Sequence, residues 1–215
     1  MTFPVLALDA AFGPAAASLM LDEECRLYAE GTENKPHSQA ILPMLEQLLQ
    51  QASLTWESLS MLALGIGPGS FTGVRVAAAT LAGINAGLKR PLLTVSSLAV
   101  TAAQTGNAGE IWVLEDAHAG EVYVGHYQGF AAMDADTCMA WEALGLHAPA
   151  AFVCHGTPPQ VLADWQHRPL VRDRPEALAD MVLYQLHSVT ADTLPTYPQP
   201  AYLQPSQAER NFNHG

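Results

Sequence analysis

The residues best suited to chemistry are concentrated in Gly65-Ile66-Gly67-Pro68-Gly69-Ser70-Phe71-Thr72-Gly73-Val74-Arg75. This run lies between an apolar stretch, Met61 to Ile66, and a small-residue stretch, Val76 to Gly87. The order reads as strand, glycine-rich turn and helix N-terminus. Glycines open backbone angles closed to other residues and turn free N–H groups toward whatever fills the loop. The chemistry so implied is anion or phosphate binding. The same residues also suit a tight strand-to-helix turn that binds nothing. No Gly-Lys-Ser/Thr follows, so the run is not a P-loop, and it does not fit Gly-x-Gly-x-x-Gly. Asp9, closing the first strand, is placed either to position a metal-bound phosphate or to cap its own turn.

Metal and nucleophile chemistry find little support. His118 and His126, and His147 and His155, are each eight residues apart, and neither His-x-x-x-His nor His-Glu-x-x-His occurs. Zinc sites need ligands that converge on one ion, and this spacing promises none. All eight histidines are therefore expected to be surface or helix-cap residues. There is no Gly-x-Ser-x-Gly elbow and no legible Cys-His pairing. Cys25, Cys138 and Cys154 are odd in number and lack paired metal spacing, which points to a reduced cytoplasm.

With 215 residues, 49% of them apolar, the chain can bury a proper core as one large domain or two small lobes. Its net charge is −12, and Pro91 to His167 contains eight acidic residues and no Lys or Arg. The basic residues Lys35, Arg75, Lys89-Arg90 and Arg168 to Arg174 are scattered. Nucleic-acid surfaces need clustered cations that displace counterions, so direct tRNA or DNA binding by this chain alone is not expected. Phe3 to Leu21 is apolar, but Asp9 lies within it, Gly13-Pro14 breaks it and no Lys or Arg precedes it. It reads as strand, turn and strand, with no membrane association.

The elements that must position the loop follow from periodicity. Strands are expected at Pro4 to Leu8, Ala15 to Leu21 and Cys25 to Glu30, then a helix from an N-cap at Ser38 to about Ala52. Ile41, Leu42, Leu45, Leu48 and Leu49 trace its apolar stripe. Pro43 inside that stripe suggests a later start or a local kink. A strand at Met61 to Ile66, a helix at Thr72 to Gly87, a strand at Leu92 to Val95 and a helix capped by Ser96-Ser97 complete the first half. The helix at Thr72 to Gly87 has small residues on more than one face. That suits packing on a sheet on one side and close approach by another helix, from a partner or from the same domain, on the other. A composition shift at Thr105 to Gly109 marks a lobe boundary. Beyond it a hairpin pairs Ile111 to Glu115 with Glu121 to Tyr127, and the remainder reads as a smaller mixed lobe with a proline-rich tail.

An ordered set of segments resembles the TsaB (YeaZ) family, accessory proteins in making threonylcarbamoyladenosine on tRNA. The set is Leu6-Ala7-Leu8-Asp9, His37-Ser38-Gln39 with Leu42-Pro43, the Gly67-to-Gly73 loop, Ser96-Ser97-Leu98, Asp116-x-x-x-Gly120-Glu121-Val122-Tyr123 and Tyr202-Leu203. The resemblance implies an α/β fold of the two-lobed actin/Hsp70/sugar-kinase (ASKHA) type, mixed sheets flanked by helices. Residues 1–105 would form the N-terminal lobe and 106–215 the smaller C-terminal lobe with the tail. It implies a non-catalytic subunit that binds and activates the transferase subunit TsaD, helps recruit TsaE, and dimerises when alone. On this view Ile41, Leu45, Arg75, Ala79 and Gly83 bind the partner. Asp9, Gly67, Gly69, Ser70 and Gly73 are the vestige of a phosphate loop. TsaD carries a His-x-x-x-His metal motif after its own loop, and the matching Val95 to Val100 here has no histidine. ATP, magnesium and the catalytic metal are then expected on partner subunits, with tRNA reached only through the complex. Two departures stand out. Ala10-Ala11 replaces the family's Thr-Ser after the strand aspartate, and His118 replaces its arginine. The rival readings are an autonomous nucleotide-hydrolysing or metallopeptidase-like enzyme, and a homodimeric scaffold.

Overall fold

The computed structural model describes residues 3–106, 109–144, 147–158, 160–198 and 203. Strands β1 (Val5–Asp9), β2 (Ala16–Met20) and β3 (Arg26–Glu30) precede helix α1 (His37–Gln51). Strand β4 (Met61–Gly65), helix α2 (Phe71–Leu88), strand β5 (Leu92–Val95) and helix α3 (Ser97–Ala103) follow. The five strands form one sheet in the order β3-β2-β1-β4-β5. β2 runs antiparallel to β1 and β3, while β1, β4 and β5 are parallel. The element order of this half is βββαβαβα, a mixed sheet with helices interleaved.

β1, β2 and β4 are buried at every residue, as strands covered on both faces must be. Their alternation divides the two cores. Leu6, Leu8, Leu19, Leu62 and Leu64 meet Ile41, Leu45, Leu48, Ala77 and Leu81 of α1 and α2. Val5, Ala7, Met20 and Ala63 point the other way, toward α3 and a fifth helix.

The second sheet contains β6 (Glu110–His118), β7 (Glu121–Gln128), β8 (Ala131–Ala132), β9 (Thr137–Ala140), β10 (Ala151–Val153) and β11 (Gln166–His167). Its order is β11-β10-β6-β7-β8, with β9 also on β7. Short α4 (Trp141–Leu144) and α5 (Arg174–Leu186) complete the regular structure. The hairpin is longer than the sequence suggested. His118 pairs with Glu121 across a two-residue Ala119-Gly120 loop, with a bulge between Asp116 and His118. His118 (φ 63°) and Ala119 (φ 54°) both lie in the left-handed region.

α5 lies beyond the elements expected from the sequence: Ala177, Leu178, Ala179, Met181, Val182 and Leu183 bury it over most of its circumference, leaving only a narrow outward stripe of Glu176, Asp180 and Tyr184 at intervals of four. It packs on β1, β2, β3 and α3. One core therefore contains residues from β1, β5, α3, α5 and the second-sheet residues Ile111, Val113 and Val153. At α1 the Ser38 cap and the later helix start offered for Pro43 are corrected. Its N-cap is Pro36 and not Ser38, which lies one residue inside the helix, and Pro43 sits in the helix interior with the first turn already formed.

Candidate functional site

Asp9 ends β1 fully buried. Its Oδ1 accepts from the Ala11 amide at 2.9 Å and from the Ser97 hydroxyl at 3.1 Å. Its Oδ2 accepts from Nη2 of Arg174, the first residue of α5, at 2.5 Å. Arg174 is itself 3% exposed, and its Nη1 donates to Thr101 Oγ1 at 3.2 Å and to Gln104 Oε1 at 3.3 Å. The Phe12 ring lies 5.4 Å from its guanidinium carbon. A buried charge needs a partner and hydrogen bonds to be tolerated, and Asp9 has both from within the protein.

The glycine loop folds down on the turn that follows Asp9. Its amides meet protein acceptors: Gly67 N–H donates to Ser97 Oγ at 3.0 Å, Ser70 N–H to the Ala11 carbonyl at 2.8 Å and Gly73 N–H to Ser70 Oγ at 3.2 Å. Ser70 is thereby the N-cap of α2. A Cβ on Gly73 would sit 2.0 Å from the Ala10 carbonyl oxygen, and one on Gly65 2.4 Å from Asp9 Cγ. These two glycines are required by contact between chain segments.

The ASKHA resemblance would imply a magnesium-bound nucleotide at this place, and the residues present do not fit it. The strand aspartate is neutralised by Arg174, the next two residues are alanines without hydroxyls, and these loop donors are engaged.

The five residues expected on the partner face separate into two groups. Arg75, Ala79 and Gly83 recur at helical spacing on the exposed side of α2, and a Cβ at Gly83 would meet nothing within 4 Å. The Arg75 guanidinium carbon lies 3.6 Å from the centroid of the Phe71 ring. Ile41 and Leu45 are 1% and 0% exposed, so they belong to the core between α1, α2 and the sheet. Their stripe is the inner face of α1. Leu42, Pro43 and Glu46 are among the exposed residues of α1.

Among the described residues two histidines differ from expectation; His214 lies outside them. His126 Nδ1 is 2.9 Å from Asp134 Oδ2, its Nε2 is 2.9 Å from Glu110 Oε1, and its ring stacks on Trp112 at 4.5 Å. Partial burial works to lower its pKa, but the hydrogen bonds to Asp134 and Glu110 outweigh this and hold it above the ordinary value. His155 Nδ1 is 2.6 Å from Oε1 of buried Glu115, and its ring stacks on Phe12 at 5.6 Å. The neighbouring thiol of Cys154 is raised to about 11 by burial and by Glu115, so it is a poor nucleophile at neutral pH. His187 fits a helix-cap role, at the C-cap of α5 with Nδ1 2.7 Å from the Leu183 carbonyl.

At the start of α3, Ser96 Oγ caps the helix and donates to Asp136 Oδ2 at 2.5 Å, while Tyr127 donates to Asp136 Oδ1 at 2.5 Å. Burial pushes the Asp136 carboxyl up. Among the described residues no three His, Cys, Asp or Glu side chains gather as a metal centre.

The family model for TsaD, tRNA N6-adenosine threonylcarbamoyltransferase, matches residues 32–155, more than half of the chain. The Escherichia coli tRNA threonylcarbamoyladenosine biosynthesis protein TsaB is 34% identical over 128 residues, covering 58% of this chain and 54% of that protein. The solved structure of YeaZ from Pseudomonas aeruginosa matches at 27% identity with a TM-score of 0.72, over 94% of this chain and all of that one. The chain belongs to the TsaD family, in its TsaB/YeaZ group.

A second Pseudomonas aeruginosa structure, described by its similarity to peptidase YeaZ, gives 26% identity and a TM-score of 0.75 over 94% of this chain. The Haemophilus influenzae TsaB is 33% identical over 122 residues, 55% of this chain and 51% of that protein. The chain thus spans about half the length of the curated TsaB relatives it matches. Of the segments that carry the TsaB/YeaZ resemblance, Tyr202 lies outside the described residues. Sequence reasoning missed Arg174, the partner of Asp9, whose only local sign is the Asp173-Arg174-Pro175 helix start.

Proposed function

We propose that this chain is a non-catalytic subunit of the bacterial machinery that makes threonylcarbamoyladenosine on tRNA. It binds TsaD through the outer face of α2 and the exposed flank of α1, activates it, and helps recruit TsaE. When alone it self-associates through the same face. ATP, magnesium and the catalytic metal act on partner subunits, tRNA is reached only through the complex, and the work is cytoplasmic. The names of the TsaB relatives support the pathway. One observation carries the accessory role: Arg174 fills the charge requirement of Asp9, the residue that an active ASKHA site would direct at a metal-bound phosphate. A surface of small residues on α2 then offers close helix approach.

The acidic balance of −12 supports contact with tRNA through partners. The reading is tested by depleting the chain in its native cell and measuring threonylcarbamoyladenosine in bulk tRNA by mass spectrometry. The modification should fall, and an Asp9→Asn chain that folds should restore it. Restoration by wild type but not by folded Asp9→Asn would favour the enzymatic rival.

A further inference from the structure

The chain returns to the first sheet after α5. Following a 3-10 turn at Ala191–Thr193, its next residues lie along the outer edge of β5. The amide of Leu92, which opens β5, donates to the Pro195 carbonyl at 2.8 Å. Asn85, 2% exposed near the end of α2, donates from Nδ2 to the Thr196 carbonyl at 2.7 Å and to the Arg90 carbonyl at 2.8 Å. Its Oδ1 accepts from the Arg90 amide at 2.8 Å. Both side-chain N–H donors and the oxygen of this amide are therefore engaged. Arg90 in turn reaches the Glu57 carbonyl from Nη2 at 2.8 Å.

A purely local helix cap would need only the bonds to Arg90. The bond to Thr196 joins residues 111 apart, and the adjacent carbonyl of Pro195 holds β5. The helix turn so held is intrinsically weak. Gly83 and Gly87 flank Asn85, and a Cβ at either would meet nothing within 4 Å. Helical glycines without packing cost stability, and tertiary ties must then fix the turn.

We propose that residues 194–196 are a strap that fixes the C-terminal half of α2, and with it the orientation of Ala79 and Gly83. The C-terminal segment thereby becomes part of the partner-binding apparatus. This rests on the reading of α2 as the partner face.

The test uses the full chain with Asn85→Asp. The carboxylate still accepts from the Arg90 amide but turns an oxygen toward the Thr196 and Arg90 carbonyls. Amide exchange by NMR should show Leu92 exchanging about tenfold faster or more, as expected when a tertiary bond opens locally. Leu45, in α1, should keep its protection. Affinity for TsaD should fall about threefold or more through the loosened helix. Asn85→Ser, neutral and short, is held to the same criteria if Asn85→Asp loses its cooperative melt. Unchanged Leu92 exchange overturns the strap. Faster exchange with unchanged TsaD affinity overturns its link to the partner face. A wild-type chain that does not bind TsaD overturns the partner reading and this inference with it, while the exchange result separates the two failures.

Discussion

Replacing Arg174 by methionine removes the guanidinium from Asp9 while keeping an unbranched side chain against Phe12. Breaking a buried ion pair by deleting one member costs about 3–5 kcal/mol, because the other charge stays buried without compensation. Asp9 keeps two donors, Ala11 N–H and Ser97 Oγ, which place the cost toward the lower end, about 3 kcal/mol. The orphaned acceptors Thr101 Oγ1 and Gln104 Oε1 act in the opposite direction. Asp9→Asn combined with Arg174→Met removes both charges and should cost less than the sum of the single changes, with a coupling of about 1–3 kcal/mol. Urea denaturation followed by tryptophan fluorescence measures each term. A loss below about 1 kcal/mol for Arg174→Met, or strict additivity, would refute the claim that Asp9 is a structural anion matched to Arg174.

Ala79→Glu and Gly83→Glu should fold with near wild-type melting, since both positions are exposed, and should abolish TsaD binding in pull-down; Ile41→Glu should instead unfold the domain. Retained TsaD affinity in both folded variants would remove α2 as the interface. Gly83→Ala should stabilise the isolated chain by about 0.5–1 kcal/mol in thermal or urea melts, because the new methyl enters open space on a helix; a destabilised variant would contradict that environment. His126, with a raised folded pKa, contributes stability that is fully present below the ordinary histidine range and is lost as pH rises through the folded value. NMR titration should find it above its ordinary pKa, and His126→Gln should flatten this limb of the stability profile; a value at or below the ordinary one refutes the carboxylate clamp.

Much of the first sheet is legible because its strands are short apolar runs bounded by turn residues and α1 carries an apolar stripe, so β1 to β5 and α1 to α3 are readable within a residue or two. Which α2 residues face outward is not, since alanine and glycine occupy both sides and only the packing of Ala77, Ala78 and Leu81 decides it. Ile41 and Leu45 show the reverse error, an apolar stripe assigned to a partner when the protein's own core accounts for it. α5 is hard to read because its apolar residues cover most of its circumference and its outward stripe, Glu176, Asp180 and Tyr184, is narrow. The Asp9–Arg174 pair escaped because its members are 165 residues apart, and the Glu115–His155 pair because they are 40 apart. Charge pairs of that separation are specified by tertiary packing and leave no local pattern.

The central claim is most directly tested by light scattering coupled to size exclusion, on this chain mixed with an equimolar amount of TsaD from the same cell. The account expects one peak with the mass of a TsaD heterodimer and no free homodimer of this chain. Two separate peaks at their individual masses, across concentrations from micromolar upward, would contradict it.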